Sequence, residues 1–321
     1  MVSAWRNRKG FLYVIMAILL LGVGIISVKT QDTVMGPSPG ALHARIIGLN
    51  NLIVDIERDL EHTLDIAAFR ALFAITDWET IHGTFLPDMS SSFSSLLNNG
   101  SIGNDTLVLM ENNTLLDWSG KIQAQAWKQN ALMSLNLTRV EVFHQDPWSV
   151  VVRVSGVLSL QDQSTVLGWV RNVTVNRSID IQGFEDPTYS VLTGGYLQNT
   201  VRQSNITQFV SGSDVTALGQ HANNSWYVAH ADAPSFLQRL AGNLSPSDYG
   251  IESMVNIDVL ELRGGVAKPG YQTVIDHLYF GNYSGSGNIV TGMPSWFKID
   301  AVVNPATNLT HLEEYQVEGL V

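Results

Sequence analysis

Between Phe11 and Val28 runs FLYVIMAILLLGVGIISV, 18 residues without a charge. As a helix rising about 1.5 Å per residue it spans about 27 Å, close to the hydrocarbon thickness of a bilayer. No other feature of the 321 residues limits the architecture as strongly, and no second run of this kind follows. Arg6, Arg8 and Lys9 precede it, and no acidic residue does. The positive-inside rule keeps that basic end in the cytoplasm. The reading is therefore a single-pass protein of the cytoplasmic membrane with its ectodomain outside the cell. The residues after the run, Lys29-Thr30-Gln31-Asp32, do not form a small-x-small cleavage site, so the run is expected to stay on the protein as an anchor.

The junction Arg8-Lys9-Gly10-Phe11 resembles the class III leader of type IV prepilins and their archaeal relatives. That resemblance implies a prepilin-type peptidase as a partner, cutting between Gly10 and Phe11, and other pilin-like subunits as neighbours. Type IV pilins commonly carry Glu at the fifth mature position, where this chain has Ile15. Gly36-Pro37-Ser38-Pro39-Gly40 should also break a helix, because proline lacks an amide proton and restricts the residue before it. Both departures point to a minor or accessory subunit on a hinged stalk. Without the resemblance, the same residues read as an uncleaved signal anchor.

The expected organisation is a basic leader (1–10), a transmembrane helix (11–28), a Gly/Pro hinge (29–43) and an extracellular domain (44–321). Within that domain 44–133 should be mainly helical and 134–321 mainly β. Leu42, Ile46, Leu49, Ile53, Ile56 and Leu60 recur at spacings of three and four, continuing through Leu64, Ala68, Ala71 and Ile75, which predicts a long amphipathic helix. Asp55, Glu57, Arg58, Asp59 and Glu61 fall off the stripe and read as its solvated face. Val150, Val152, Val154, Leu158 and Leu160 alternate as in a half-buried strand, and so do Val173, Val175, Ile179 and Ile181. Further strands are expected over 255–262, 273–280 and 297–303, and helices over 120–133 and 234–240. The fold class is α+β: the N-terminal helix, then a long amphipathic helix packed on a mainly antiparallel, β-sandwich-like ectodomain.

Several segments are similar to those of archaeal membrane-anchored, pilin-like proteins. They are Lys9-Gly10-Phe11, Asp55-Ile-Glu-Arg-Asp59, Arg70-Ala71-Leu72, Gly183-Phe-Glu-Asp-Pro187, Pro234-Ser-Phe-Leu237 and Gly250-Ile-Glu-Ser253. The resemblance implies a surface location and no activity.

Beyond Val28 stand 15 of the 18 basic residues and all 29 acidic ones. Such a surface repels phosphate backbones and argues against nucleic-acid binding. The absence of cysteine excludes disulfides, thiolate metal sites and thiol nucleophiles. Eleven Asn-x-Ser/Thr sequons follow the anchor, at Asn99, Asn104, Asn112, Asn136, Asn172, Asn176, Asn205, Asn223, Asn243, Asn282 and Asn308. Asn172 and Asn176 fall on the polar face of a predicted strand, where a glycan could project.

No catalytic residue and no cofactor is expected. The histidines match no standard metal spacing, so no metal site is expected either. His277 and His311, the latter beside Glu313 and Glu314, are the strongest contributors to one if it exists. Thr310-His311-Leu312-Glu313 itself has the form of a helix capping box. Trp118, Trp127, Trp148, Trp169, Trp226 and Trp296 could line a groove for sugar or protein, with core packing as the default. The leading function is a pilin-like structural or adhesive cell-surface protein. Its rivals are a signal-anchored binding module for sugar or protein, and an extracellular hydrolase whose acids converge only in the fold.

Overall fold

A long amphipathic stripe and two alternating runs generate the architecture, together with a strand over Ala131–Asp146 that the sequence pattern does not predict and that takes in the end of the helix expected over 120–133. The computed structural model describes residues 16, 39–164 and 167–321. The cleavage junction Gly10–Phe11, all of the transmembrane segment except Met16, and hinge residues 29–38 lie outside the described residues. Among those described, no helix is long and apolar enough to cross a membrane. Two compact units divide the chain, Met1–Asp55 and Ile56–Val321.

Helix α1, Pro39–His82, begins inside the expected hinge, so residues 39–43 are helical. Pro39 fits there because the first helical position needs no amide proton. In the first unit, Leu49 and Ile53 of α1 are buried. In the second, Ile56, Leu60, Leu64, Ala68, Ala71 and Ile75 are buried as the predicted stripe requires, joined by Leu72, whereas Ile46 of the stripe's first turns is exposed. Burying each leucine or isoleucine contributes about 1.5–3 kcal/mol before entropy is counted. Helix α2, Met89–Asn99, follows with Asp88 as its cap, and α3, Leu115–Lys128, starts at the Thr114–Asp117 capping box, five residues before the expected 120.

Three long strands form the main sheet: β1 (Ala131–Asp146), β2 (Ser149–Asp162) and β3 (Gly168–Asp180), antiparallel in that order. Val152 stands opposite Val142 and Arg177, and Val154 opposite Val140 and Val175, so these residues share one face. That face receives α1: Arg177 Nη2 lies 2.7 Å from Glu61 Oε2, and Arg171 Nε lies 3.2 Å from Glu57 Oε1. Trp118 of α3 donates to Asp59 at 2.7 Å. The acidic positions 57, 59 and 61 are therefore not a purely solvated face; they reach neighbouring elements from the edge of the apolar stripe. Gly156 sits where a Cβ would stand 2.7 Å from the Asn136 carbonyl, beside the bulge between Leu137 and Arg139.

The region after β3 departs most from expectation. The other sheets among the described residues are two-residue pairs, and no sheet closes. The strand expected over 255–262 is instead a helix, Ile257–Leu262, because Asn256 accepts from the Val259 amide as a cap. The strand expected over 273–280 ends in helix Asp276–Phe280, and that over 297–303 shrinks to Lys298–Ile299. The helix expected over 234–240 forms at Phe236–Leu240, with Ser235 rather than proline at its start.

Glu79, near the end of α1, is fully buried; its Oε1 accepts from the Leu86 amide at 2.9 Å and its Oε2 has no partner. Burial pushes its carboxyl up to about 8, the Leu86 hydrogen bond opposing this and the charge of Asp186 adding to it. Between the ordinary carboxylate value and about 8, the unfolded chain sheds a proton that the folded chain keeps, so stability falls as pH rises through that window. Chemical denaturation at pH 5 and pH 8 should show Glu79→Gln gaining on the parent by on the order of 2–4 kcal/mol. A pH-independent difference would contradict the assignment.

Candidate functional site

Short helices and loops after β3 converge on a buried polar cluster, and helix caps place its first members. Asp186 caps helix α4 (Pro187–Leu192), accepting from the Thr188 amide, which turns its second oxygen inward. Helix α6 (Phe236–Leu240) comes after α5 (Thr216–Asn224) and opens with a Ser235–Gln238 capping box. It carries Arg239, which is wholly buried. His144 of β1 accepts from the Leu237 amide and so ties this short helix to the main sheet. Burial pushes the His144 imidazole down, against carbonyl contacts to Ser149 and Asp146, which suits a neutral ring donating at Nδ1 and accepting at Nε2.

Arg239 Nη1 donates to Asp186 Oδ2 at 2.8 Å and to Asp276 Oδ2 at 2.9 Å. Its Nη2 donates to Asp276 Oδ1 at 3.2 Å and to the Ile251 carbonyl. Tyr227 OH completes Asp186 at 2.8 Å, and Ser253 Oγ completes Asp276 at 2.6 Å. Burial opposes the guanidinium charge, but Asp276 and Asp186 outweigh it and hold the group protonated throughout.

Beside this lies a second set. Glu252 Oε1 accepts from Tyr315 OH at 2.8 Å, while Oε2 lies 3.1 Å from His311 Nε2, 3.4 Å from His230 Nδ1 and 3.9 Å from His277 Nδ1. His311 Nδ1 sits 2.6 Å from Asp300 Oδ1, and Asp300 is fixed by Thr273 Oγ1 at 2.6 Å and the Val302 amide at 2.8 Å. His230 Nε2 lies 3.0 Å from Glu314 Oε2, out of hydrogen-bond alignment. The side chains of Glu252, His230 and His311 are entirely shielded from solvent. Burial works against the charge on Glu252, and the three histidines more than offset it, holding the carboxylate ionised. Burial likewise opposes charge on His311, and Glu252 and Asp300 push it well above the ordinary imidazole value.

Gly250 makes this packing geometrically available. A Cβ there would stand 2.1 Å from the Ala233 carbonyl and 2.2 Å from that of His230. Only a glycine lets the strand bearing Glu252 approach the loop bearing His230 this closely.

Of the residues read from sequence, His277, His311 and Glu314 belong to the cluster, whereas Glu313 closes the capping box with Thr310 and points elsewhere. Sequence reasoning missed His230, Glu252, Asp186, Asp276, Asp300 and Arg239. Their spacing forms no local motif. A signal did exist in the segments Gly183–Pro187, Pro234–Leu237 and Gly250–Ser253, which contribute Asp186, Glu252 and Ser253 and lead into Arg239. Trp118 and Trp296 are buried, Trp148, Trp169 and Trp226 are partly exposed and Trp127 is exposed, so the expected core packing holds for two of the six. All eleven sequon asparagines are exposed.

Two surface hollows lie away from the cluster. One, of about 410 Å³, is lined by Lys268, Tyr271, Gln272, Tyr279, Asn282 and Tyr283 among others. The second, of about 450 Å³, runs along Ile66, Phe69 and Arg70 of α1 beside Ile179 of β3.

Truncating Arg239 to Met would leave Asp186 and Asp276 buried without their cation, at a cost of about 3–5 kcal/mol in denaturant unfolding. Arg171→Met, at a half-exposed ion pair, should cost under about 1 kcal/mol. Equal costs would contradict the assignment of Arg239 as the keystone. No protein-family model matches the chain, no curated protein matches it, and no solved structure matches it.

Proposed function

We propose that this chain is a pilin-like structural or adhesive surface glycoprotein. In this reading residues 11–28 tether it to the cytoplasmic membrane, cleavage after Gly10 matures it, and residues 44–321 are displayed outside the cell. The observation that carries the reading is the placement of the sequons. Every one of the eleven acceptor asparagines is exposed, whereas Asn256 and Asn304, which lie outside sequons, are buried. The side-chain nitrogens of Asn113, Asn199, Asn224, Asn256, Asn288 and Asn304 donate within the protein, and none of these is the acceptor asparagine of a sequon. Among the described residues, no sequon nitrogen is engaged in this way, which leaves each one available for N-glycan attachment.

A long helix laid on an antiparallel sheet is also the arrangement that a pilin-like subunit would use. The tyrosine-lined hollow at Tyr271, Tyr279 and Tyr283 favours the second reading, a signal-anchored binding module for sugar or protein. The hydrolase reading gains no support from the converging acids, because those acids are packed shut.

Peptide mapping by mass spectrometry of protein extracted from its own host tests the proposal. The expected result is an intact mass above 35.2 kDa, glycan on Asn172 or Asn176, and a mature N-terminus at Phe11. Unmodified asparagine at all eleven sequons would overturn the glycoprotein reading, and an N-terminus at Met1 would leave a signal anchor.

A further inference from the structure

We propose that His230, Glu252 and His311 bind a divalent transition-metal ion of zinc's class, with His277 completing a closed structural site. The three ligand atoms lie within 4.8 Å of one another, and all three residues are buried. Metal bonds of about 2.0–2.1 Å place tetrahedral ligand atoms about 3.3 Å apart. Glu252 Oε2 stands at 3.1 Å from His311 Nε2 and 3.4 Å from His230 Nδ1, close to that spacing.

Proton positions sharpen the argument. His311 Nδ1 meets the Asp300 carboxylate at 2.6 Å, so this nitrogen carries the proton. Without an ion, Nε2 must carry a second proton toward Glu252 Oε2, making the imidazolium that these two carboxylates favour; a metal ion there would replace that proton and take the lone pair of the neutral ring. His230 Nδ1 lies 3.4 Å from the same Glu252 oxygen and accepts from the Asp232 amide only at 3.3 Å, a long contact that a coordinated ion would displace. Glu252 Oε1 is held by Tyr315, which leaves Oε2 as a single ligating oxygen.

The surroundings match the outer shell of a metal site. Ligating histidines characteristically give their second nitrogen to a carboxylate, which fixes ring orientation and tautomer. Asp300 stands in that place for His311, and Glu314 Oε2 lies 3.0 Å from His230 Nε2 without being aligned to accept from it. His277 supplies a further observation: its ring is buried and neither nitrogen is aligned for a hydrogen bond, with Nδ1 3.5 Å from Asp276 Oδ1 and Nε2 3.8 Å from Asp232 Oδ2. Buried polar atoms are normally paired, and its Nδ1 lies 3.9 Å from Glu252 Oε2. Arg239 serves Asp186 and Asp276, so the counter-charge for Glu252 and Asp300 comes from titratable histidines rather than from an arginine or lysine.

The ligands come from positions 22 to 34 residues apart in a region of few regular elements, and all four are buried. The ion's role is therefore to staple loops together, as metal sites do where regular structure is sparse. Imidazole and carboxylate donors without thiolate suit zinc and its neighbours in the first transition row.

The test is elemental analysis by mass spectrometry of the full-length protein purified in detergent, followed by chelation and titration with Zn²⁺ and Co²⁺. The expected result is about one transition-metal ion per chain. Chelation should lower the melting temperature and Zn²⁺ should restore it. Asp300→Asn should weaken metal affinity about 10–100-fold. Glu313→Gln, which touches only the cap, should retain the ion. Should Glu252→Gln or His311→Gln fail to fold, the chelated parent protein still answers, because Co²⁺ in a tetrahedral nitrogen and oxygen site develops strong visible absorption. Metal-free native protein showing neither a thermal shift with Zn²⁺ nor a cobalt spectrum would overturn the site and leave an imidazolium–carboxylate network.

Discussion

The guanidinium of Arg239, sealed from solvent between Asp186 and Asp276, is the contact on which the rest of the region after the main sheet depends. One planar group joins the cap of α4, helix α6, the Ile251 carbonyl and the start of helix Asp276–Phe280. Arginine suits this position because its donors are fixed in a fork and its charge is permanent. The arrangement also stands against an apolar environment, with Phe236, Val274 and Ile275 fully buried in the same region. A charged group can sit there only because each of its carboxylate partners is further satisfied, Asp186 by Tyr227 and Asp276 by Ser253.

This polar core explains how roughly 140 residues with little regular structure form a defined unit. Their backbone groups are satisfied by turns and isolated bridges rather than long ladders, such as Met254 with Ile275 and Val303 with Thr310. Hydrophobic burial supplies cohesion but little register. Directional bonds from Arg239, Glu252, Asp300 and the histidines supply what long strands provide elsewhere. The main sheet contributes in turn, since His144 anchors the amide of Leu237 two residues before Arg239.

Much of the first half was legible in the sequence. The stripe from Leu42 to Ile75 belongs to α1, and the alternation of Val150 to Leu160 and Val173 to Ile179 belongs to β2 and β3. These are local periodicities, and each is long enough to be unambiguous. The second half resisted because its apolar runs are short. In Val255–Leu262 the β-branched residues favoured a strand, yet the Asn256 cap and tertiary packing chose a helix. The cluster resisted for a different reason. His230, Glu252, His277 and His311 lie in separate segments, so no spacing rule could gather them. The capping box at Thr310, which the sequence does reveal, orients the helix on which His311 sits.

If directional polar contacts hold these loops as firmly as the main sheet is held, their amides should open only with the whole unit. Native-state hydrogen exchange on the full-length protein measures this directly. The informative amides are Asp186, Val255, Val274, Asp276 and His311, each bonded across separate segments. The account predicts protection of these loop amides equal to that of Val152 and Val154 in β2. Exchange at least about a hundredfold faster than in the strand, corresponding to local opening well below the global free energy, would contradict it.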